Sequence, residues 1–395
     1  MPLPHTWVSA DCVCIVIIML LVDMWPLVAP RLRLEWLPRS VFAIVMGLAI
    51  GWIWSASLPV FIFEPDLFLF LLLPPIIFES GLTFRRETLE TTWKSSLMLA
   101  GPGTILSALL IAWGAMALQR LGLAGDHPYM SVIEAFAFGA ILSPTDPVAT
   151  LSIMRQHKDR VAPHIRHVVE NESLMNDAVA VALVHLAGHL RALNSSTVAY
   201  VVFMFFLTTV GSVVWGTFLG MLVRLMSKPS ATFLMLLALF VYASAEAVSA
   251  SGIVSLFTYG VVISKSAPFM ISHAHTLSEL GEMYIYIVMG CMVYRIETRF
   301  WAYAFGVVVA CIVSRVASIF FLGGVLRFAR VWRLSELLFV SMCGIRGAIA
   351  LALAFSLAGP HAQMIRAATF TVVVSSTLIF GSLTQWMIEA FRIDS

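Results

Sequence analysis

Residues 170–184 read ENESLMNDAVAVALV, placing three carboxylates and two amides in a stretch otherwise fit for lipid. An acidic side chain at the middle of a spanning helix costs about 2.5 to 3.5 kcal/mol to insert, so it is kept where it has a partner or a task. On a helix, Ser173 and Asp177 stand one above the other, and Glu172 and Asn176 do the same on the adjacent stripe. One stripe can hold a partner that positions the helix while the other faces a cavity. A polar network that only locks helices together is the plainer alternative.

The remainder of the chain sets this segment in a membrane. Of 395 residues, 60% are hydrophobic and 12% charged, against about 25% charged in soluble domains, and the mean hydropathy is +0.93. A net charge of +2, with basic residues in short clusters between apolar runs, excludes a nucleic-acid-binding surface. Thirteen apolar runs, from 9–29 to 367–388, have the length of membrane spans, with 252–267 the shortest. They predict an all-α polytopic membrane protein. The first run holds Asp11 and Asp23 with no basic residue before it, so it reads as a retained span rather than a cleaved signal. With the amino terminus outside, seventeen of the 24 basic side chains fall in inward loops and five in outward ones. This asymmetry favours an outside amino terminus and a cytoplasmic carboxyl terminus. Only Arg315 and Arg346 remain, and both lie within runs. The five cysteines sit in or beside apolar runs, which argues against a disulfide framework or a metal site. Loops are short and seven residues follow the last run, so no soluble regulatory domain is expected.

Two runs are built to break. The fifth, 131–153, contains Ser143-Pro144-Thr145-Asp146-Pro147, and a helix cannot pass two prolines unbroken. The twelfth, 335–357, contains Gly344-Ile345-Arg346-Gly347. The breaks hold comparable late positions in the two halves of the chain, the arrangement expected when inverted repeats assemble a transport site from two discontinuous helices. For the glycine segment alone, close packing would suffice. Asp146 would offset the positive amino ends of the half-helices and Arg346 the negative carboxyl ends. In the third run, 66–84, Pro74 and Pro75 precede Glu79, which either lines an inward funnel or snorkels to the surface. The tenth run, 276–294, opens with Glu279 and Glu282, which either guide cations or answer the helix dipole. Arg315 lies deep in its run and needs a counter-charge, for which Glu172 is the preferred candidate.

The segments SPTDPVA at 143–149, ENESLMNDAVAVAL at 170–183, GIRGAIALALAF at 344–355 and LLPPIIFESGL at 72–82 resemble the signature segments of NhaP and NHE type sodium/proton antiporters. SGIVSLFTYGVVIS at 251–264 is a weaker match. The resemblance implies an NhaA-like fold of about thirteen helices with two crossed discontinuous helices, assembled as a homodimer in a lipid bilayer. A core bundle would come from 66–187 and 276–388, and a dimerisation scaffold from 9–58 and 198–267. It also implies that Asp177 binds sodium or a proton, with Asn176 where electrogenic relatives carry a second Asp. Ser173, Thr145 and Asp146 would complete or brace the site, the sodium ion resting on Asp177, Ser173 and Thr145. Pro144, Pro147, Gly344 and Gly347 would break the helices, with Arg346 at the crossover and Glu79 and Glu282 in the funnel. The absence of a long tail favours a bacterial-type exchanger of the inner membrane.

Sodium, as a hard cation, prefers oxygen ligands, which a carboxylate, a hydroxyl and freed carbonyls supply. For proton and cation to take turns, the binding carboxylate must have no fixed cationic partner. Arg315 is therefore expected on Glu172 and Arg346 on Asp146, leaving Asp177 unpaired. One such carboxylate implies electroneutral one-for-one exchange, and the resemblance implies an elevator-like alternating access that serves pH homeostasis. Potassium or lithium in place of sodium is the alternative within this class, and a cation channel the alternative outside it. The chain contains no HExxH or GxSxG segment and no paired metal ligands, so neither an enzyme nor a cofactor is expected.

Overall fold

In a computed structural model, the described residues are 5–34, 37–54, 67–84, 86–125, 127–146, 154, 161–190, 195–226, 229–248, 250–293, 298–325 and 332–391. Among them the chain is helical, without strands. The helices are α1 (His5–Val28), α2 (Arg39–Trp54), α3 (Leu73–Thr83), α4 (Arg86–Met98), α5 (Thr104–Arg120), α6 (Val132–Leu142), α7 (Pro163–His189), α8 (Ser195–Arg224), α9 (Ala231–Ala247), α10 (Gly252–Ile263), α11 (Met270–Met292), α12 (Trp301–Val325), α13 (Leu334–Met342), α14 (Ala348–Ser356) and α15 (Ala362–Phe391). Each of the thirteen apolar runs overlaps at least one of them. Among the described residues, four stretches are long and apolar enough to cross a membrane by length and composition alone: Thr92–Arg120, Phe206–Arg224, Trp301–Gly324 and Ala362–Thr384.

Proline shapes the helices without ending all of them. Pro102 sits in a widened π turn, Leu99–Gly103, that joins α4 to α5. The looser turn accommodates a residue that has no amide hydrogen to give. A similar turn, Phe68–Leu72, precedes Pro74 and Pro75 at the start of α3.

Close packing relies on glycine, as expected where no water drives helices together and small residues let backbones approach. A Cβ on Gly47 of α2 would overlap backbone atoms of α11 near Ile287 and Gly290, and one on Gly290 would overlap α2 in return. Gly81 of α3 and Gly260 of α10 make the same reciprocal approach. Gly139 of α6 meets the backbone of Ala108 on α5.

Two helical sets result. In the first, α2 packs on α11 and α1, α3 on α10 and α11, and α10 also on α8 and α9. In the second, α5 packs on α6 and α12, α7 on α4 and α6, and α15 on α12 and α14. The sequence division put 66–84 and 276–294 with the core bundle. The corresponding helices, α3 and α11, pack closely on α10 and α2 respectively, where glycine meets glycine.

Candidate functional site

Helix α6 begins with a capping box, Ser131 and Glu134 exchanging bonds with each other's amides, and ends at Leu142. Beyond it, Ser143 to Asp146 are non-helical; Pro147, the second expected breaker, lies outside the described residues. Helix α13 likewise stops at Met342, and Gly344 to Gly347 run non-helically into α14. These two interruptions meet. The amide of Asp146 donates to the Ile345 carbonyl at 2.7 Å. A Cβ on Gly347 would overlap the Asp146 side chain, and one on Gly344 would press on the stem of Arg315. Both glycines are therefore needed to seat charged groups within the break.

The two arginines are held differently. Arg315 on α12 grips Glu172 on α7 through both guanidinium nitrogens, the Nη2–Oε2 bond measuring 2.8 Å. This two-pronged pairing suits a planar guanidinium and a carboxylate, and Glu172 is only 1% exposed. Arg346 was expected on the carboxylate of Asp146. Instead its Nη1 donates to the carbonyls of Ser143 at 3.0 Å and Pro144 at 3.1 Å, and its amide donates to Ser376 Oγ at 3.0 Å. A helix that stops at Leu142 leaves carbonyls without amide partners at its negative end, and a cation there satisfies them directly.

Asp177, one turn beyond Ser173 on α7, lines a cavity of about 730 Å³ whose walls also include Ser173, Asp146, Pro144 and Gly347. Among the described residues, no hydrogen bond or ion pair is made by the Asp177 carboxylate. Ser173 Oγ donates to the Glu170 carbonyl at 3.1 Å, leaving the hydroxyl oxygen as an acceptor for a ligand. Asn176 and Thr145 do not line the cavity; Asn176 Nδ2 donates to Thr145 Oγ1 at 2.8 Å, tying α7 to the first break. Thr145, expected to complete or brace the site, accepts this bond through its hydroxyl oxygen.

Glu79 and Glu282 both line the same cavity. At its far end Glu79 meets His275 at 2.7 Å, and Arg39 joins Glu279 at 2.9 Å and Asp23. His275 is exposed and Glu279 partly exposed there, so the cavity runs from solvent to the two breaks. The sequence reading missed Tyr286 on α11, whose hydroxyl donates to Asp146 Oδ2 at 3.1 Å. Its signal was present, since Glu279, Glu282 and Tyr286 recur at helical spacing on one face of α11. Arg39 carried no comparable signal.

The chain is similar to known proteins along nearly all its length. It is 29% identical to human sodium/hydrogen exchanger 8 over 428 residues, covering 97% of this chain and 70% of that protein. It is 28% identical to sodium/hydrogen exchanger 5 of Arabidopsis thaliana over 92% of this chain and 76% of that one. These relatives are eukaryotic, whereas the sequence reading favoured a bacterial-type exchanger. Among solved structures, the sodium proton antiporter MjNhaP1 from Methanocaldococcus jannaschii matches the fold with a TM-score of 0.75 at 18% identity, covering 95% of this chain and 99% of that one. Residues 16–390 match the transmembrane sodium/hydrogen exchanger family. With helices broken at both signature segments and a match over nearly every residue, this chain is an integral membrane protein that belongs to the sodium/hydrogen exchanger family.

Proposed function

We propose that this chain exchanges Na⁺ for H⁺ across the membrane, one for one, with Asp177 holding either ion in turn. The observation that carries this reading is the Asp177 carboxylate at the cavity wall, without a bond among the described residues, while Arg315 is engaged by Glu172 and Arg346 by backbone carbonyls. A carboxylate left empty and charged inside the bilayer is costly, so it crosses occupied by a proton or a cation. Ser173 and the carbonyls of the break supply further oxygens for sodium, which favours hard ligands. Asp146 stands at the same cavity but is held by Tyr286 and by the second break, which leaves one carboxylate for exchange and supports electroneutrality.

The cavity lies where the two helical sets meet, with α1, α2, α3 and α11 on one wall and the breaks and α7 on the other. Exchange then proceeds by an elevator-like movement of the broken-helix set against the other. The chain crosses the membrane thirteen times with its amino terminus outside, so the cavity opens at the basic, cytoplasmic end. It works as a homodimer, and the exposed apolar face of α8, with Phe203, Phe206, Val210, Val214 and Phe218, serves the bilayer or the partner. The discriminating experiment uses proteoliposomes with an imposed pH gradient and a panel of Na⁺, K⁺ and Li⁺. Asp177→Asn is expected to abolish cation-driven proton flux, and the wild-type rate is expected to be insensitive to membrane voltage. Wild-type flux in Asp177→Asn would remove Asp177 from its role, and a clear voltage dependence would refute the stoichiometry.

A further inference from the structure

Tyr286 joins the two helical sets at their most consequential point. Its ring is 5% exposed on α11, in the set with α2 and α3, and its hydroxyl donates at 3.1 Å to Asp146, which follows α6 in the other set. Asp146 is also held within its own set, its amide on the Ile345 carbonyl and its side chain against Gly347. The tyrosine contact crosses between sets, and it exists in a conformation whose cavity reaches Asp177 from the end marked by Arg39, Glu79 and His275.

We infer that Tyr286 is a positioning residue, a hydroxyl latch that holds the Asp146 carboxylate against the second break while the cavity is open at that end. The latch must release whenever the broken-helix set shifts. This inference rests on the alternating-access reading above. A hydrogen bond to a charged acceptor made in one of two conformations biases the equilibrium between them by roughly 10- to 100-fold, divided between the two faces. Ligand affinity read from each side is scaled by the fraction of molecules competent on that side. Loss of the hydroxyl therefore weakens apparent binding from the face the latch favours and strengthens it from the other. A residue that only packs would shift both faces alike.

The test is Tyr286→Phe, which removes the hydroxyl and keeps the ring that fills the site. It is reconstituted in vesicles where every molecule faces the same way, and sodium half-saturation is measured separately from each face. The expected result is a rise of about 3- to 10-fold at the face onto which the cavity opens, a fall by a similar factor at the opposite face, and little change in maximal rate. No shift, a parallel shift at both faces, or loss of transport by a folded variant would overturn the latch. Asp177→Asn run beside it separates the two ideas. If it is inactive while Tyr286→Phe is flat, the latch alone fails; if it still exchanges ions, the reading of the site fails first.

Discussion

Breaking the buried pair between Glu172 and Arg315 is the most informative perturbation of stability. Glu172 is 1% and Arg315 6% exposed, so neither charge has water to fall back on when its partner is removed. Removing one member of such a pair costs about 3–5 kcal/mol, most of it the penalty of the stranded charge. Replacing both with apolar residues of similar volume is often neutral. Glu172→Met is therefore expected to shift the folding equilibrium by roughly two to three and a half decades. Arg315→Met should cost at least as much as Glu172→Met, because it strands the buried Glu172 carboxylate and also gives up the bond from Arg315 Nη2 to the Val340 carbonyl at 3.4 Å. The double replacement should recover most of the loss. The assay is the thermal unfolding midpoint of detergent-solubilised protein, followed by tryptophan fluorescence at fixed heating rate. Transport should not recover with stability if the freed helix α7 no longer presents Asp177 to the cavity. A double variant as unstable as Glu172→Met, or a single variant that melts with wild type, would refute the reasoning.

Gly347→Ala should abolish or cut exchange at least tenfold, because its Cβ falls on the Asp146 side chain, whereas Gly324→Ala meets nothing within 4 Å and should transport normally. Flux measurements on the two variants decide this. His361→Ala should lower the melting midpoint by an amount equivalent to about 1–3 kcal/mol, since both ring nitrogens face acceptors, Glu134 Oε1 at 3.0 Å and the Pro128 carbonyl at 2.9 Å, which join the start of α6 to the turn before α15. An unchanged midpoint would show that this junction adds nothing.

The breaks were legible because proline and glycine act locally: Pro144 and the Gly344–Gly347 segment interrupt a helix whatever packs around them. The Glu172–Arg315 pair was legible for a different reason, that few charges lie deep in the runs and opposite ones must meet. The partner of Arg346 was not, because a guanidinium can be satisfied by carbonyls, which every residue carries and no side-chain pattern marks. The bond between Asn176 and Thr145 was not legible either, because it depends on the rotation of α7, which brings the amide to the hydroxyl. The close approaches of α3 to α10 and of α2 to α11 were hidden likewise, since Gly81 meets Gly260 and Gly47 meets Gly290 across long separations in sequence.

The contact between Gly47 and Gly290 has a mechanical consequence. It is made of main-chain atoms alone, so it has no alternative rotamers into which it can repack. It is therefore a poor hinge and a good fulcrum: α2 and α11 must travel together or not at all. Tyr286 lies about one turn from this anchorage, so under the elevator-like movement proposed above its hydroxyl would be a stationary landmark past which the broken-helix set slides.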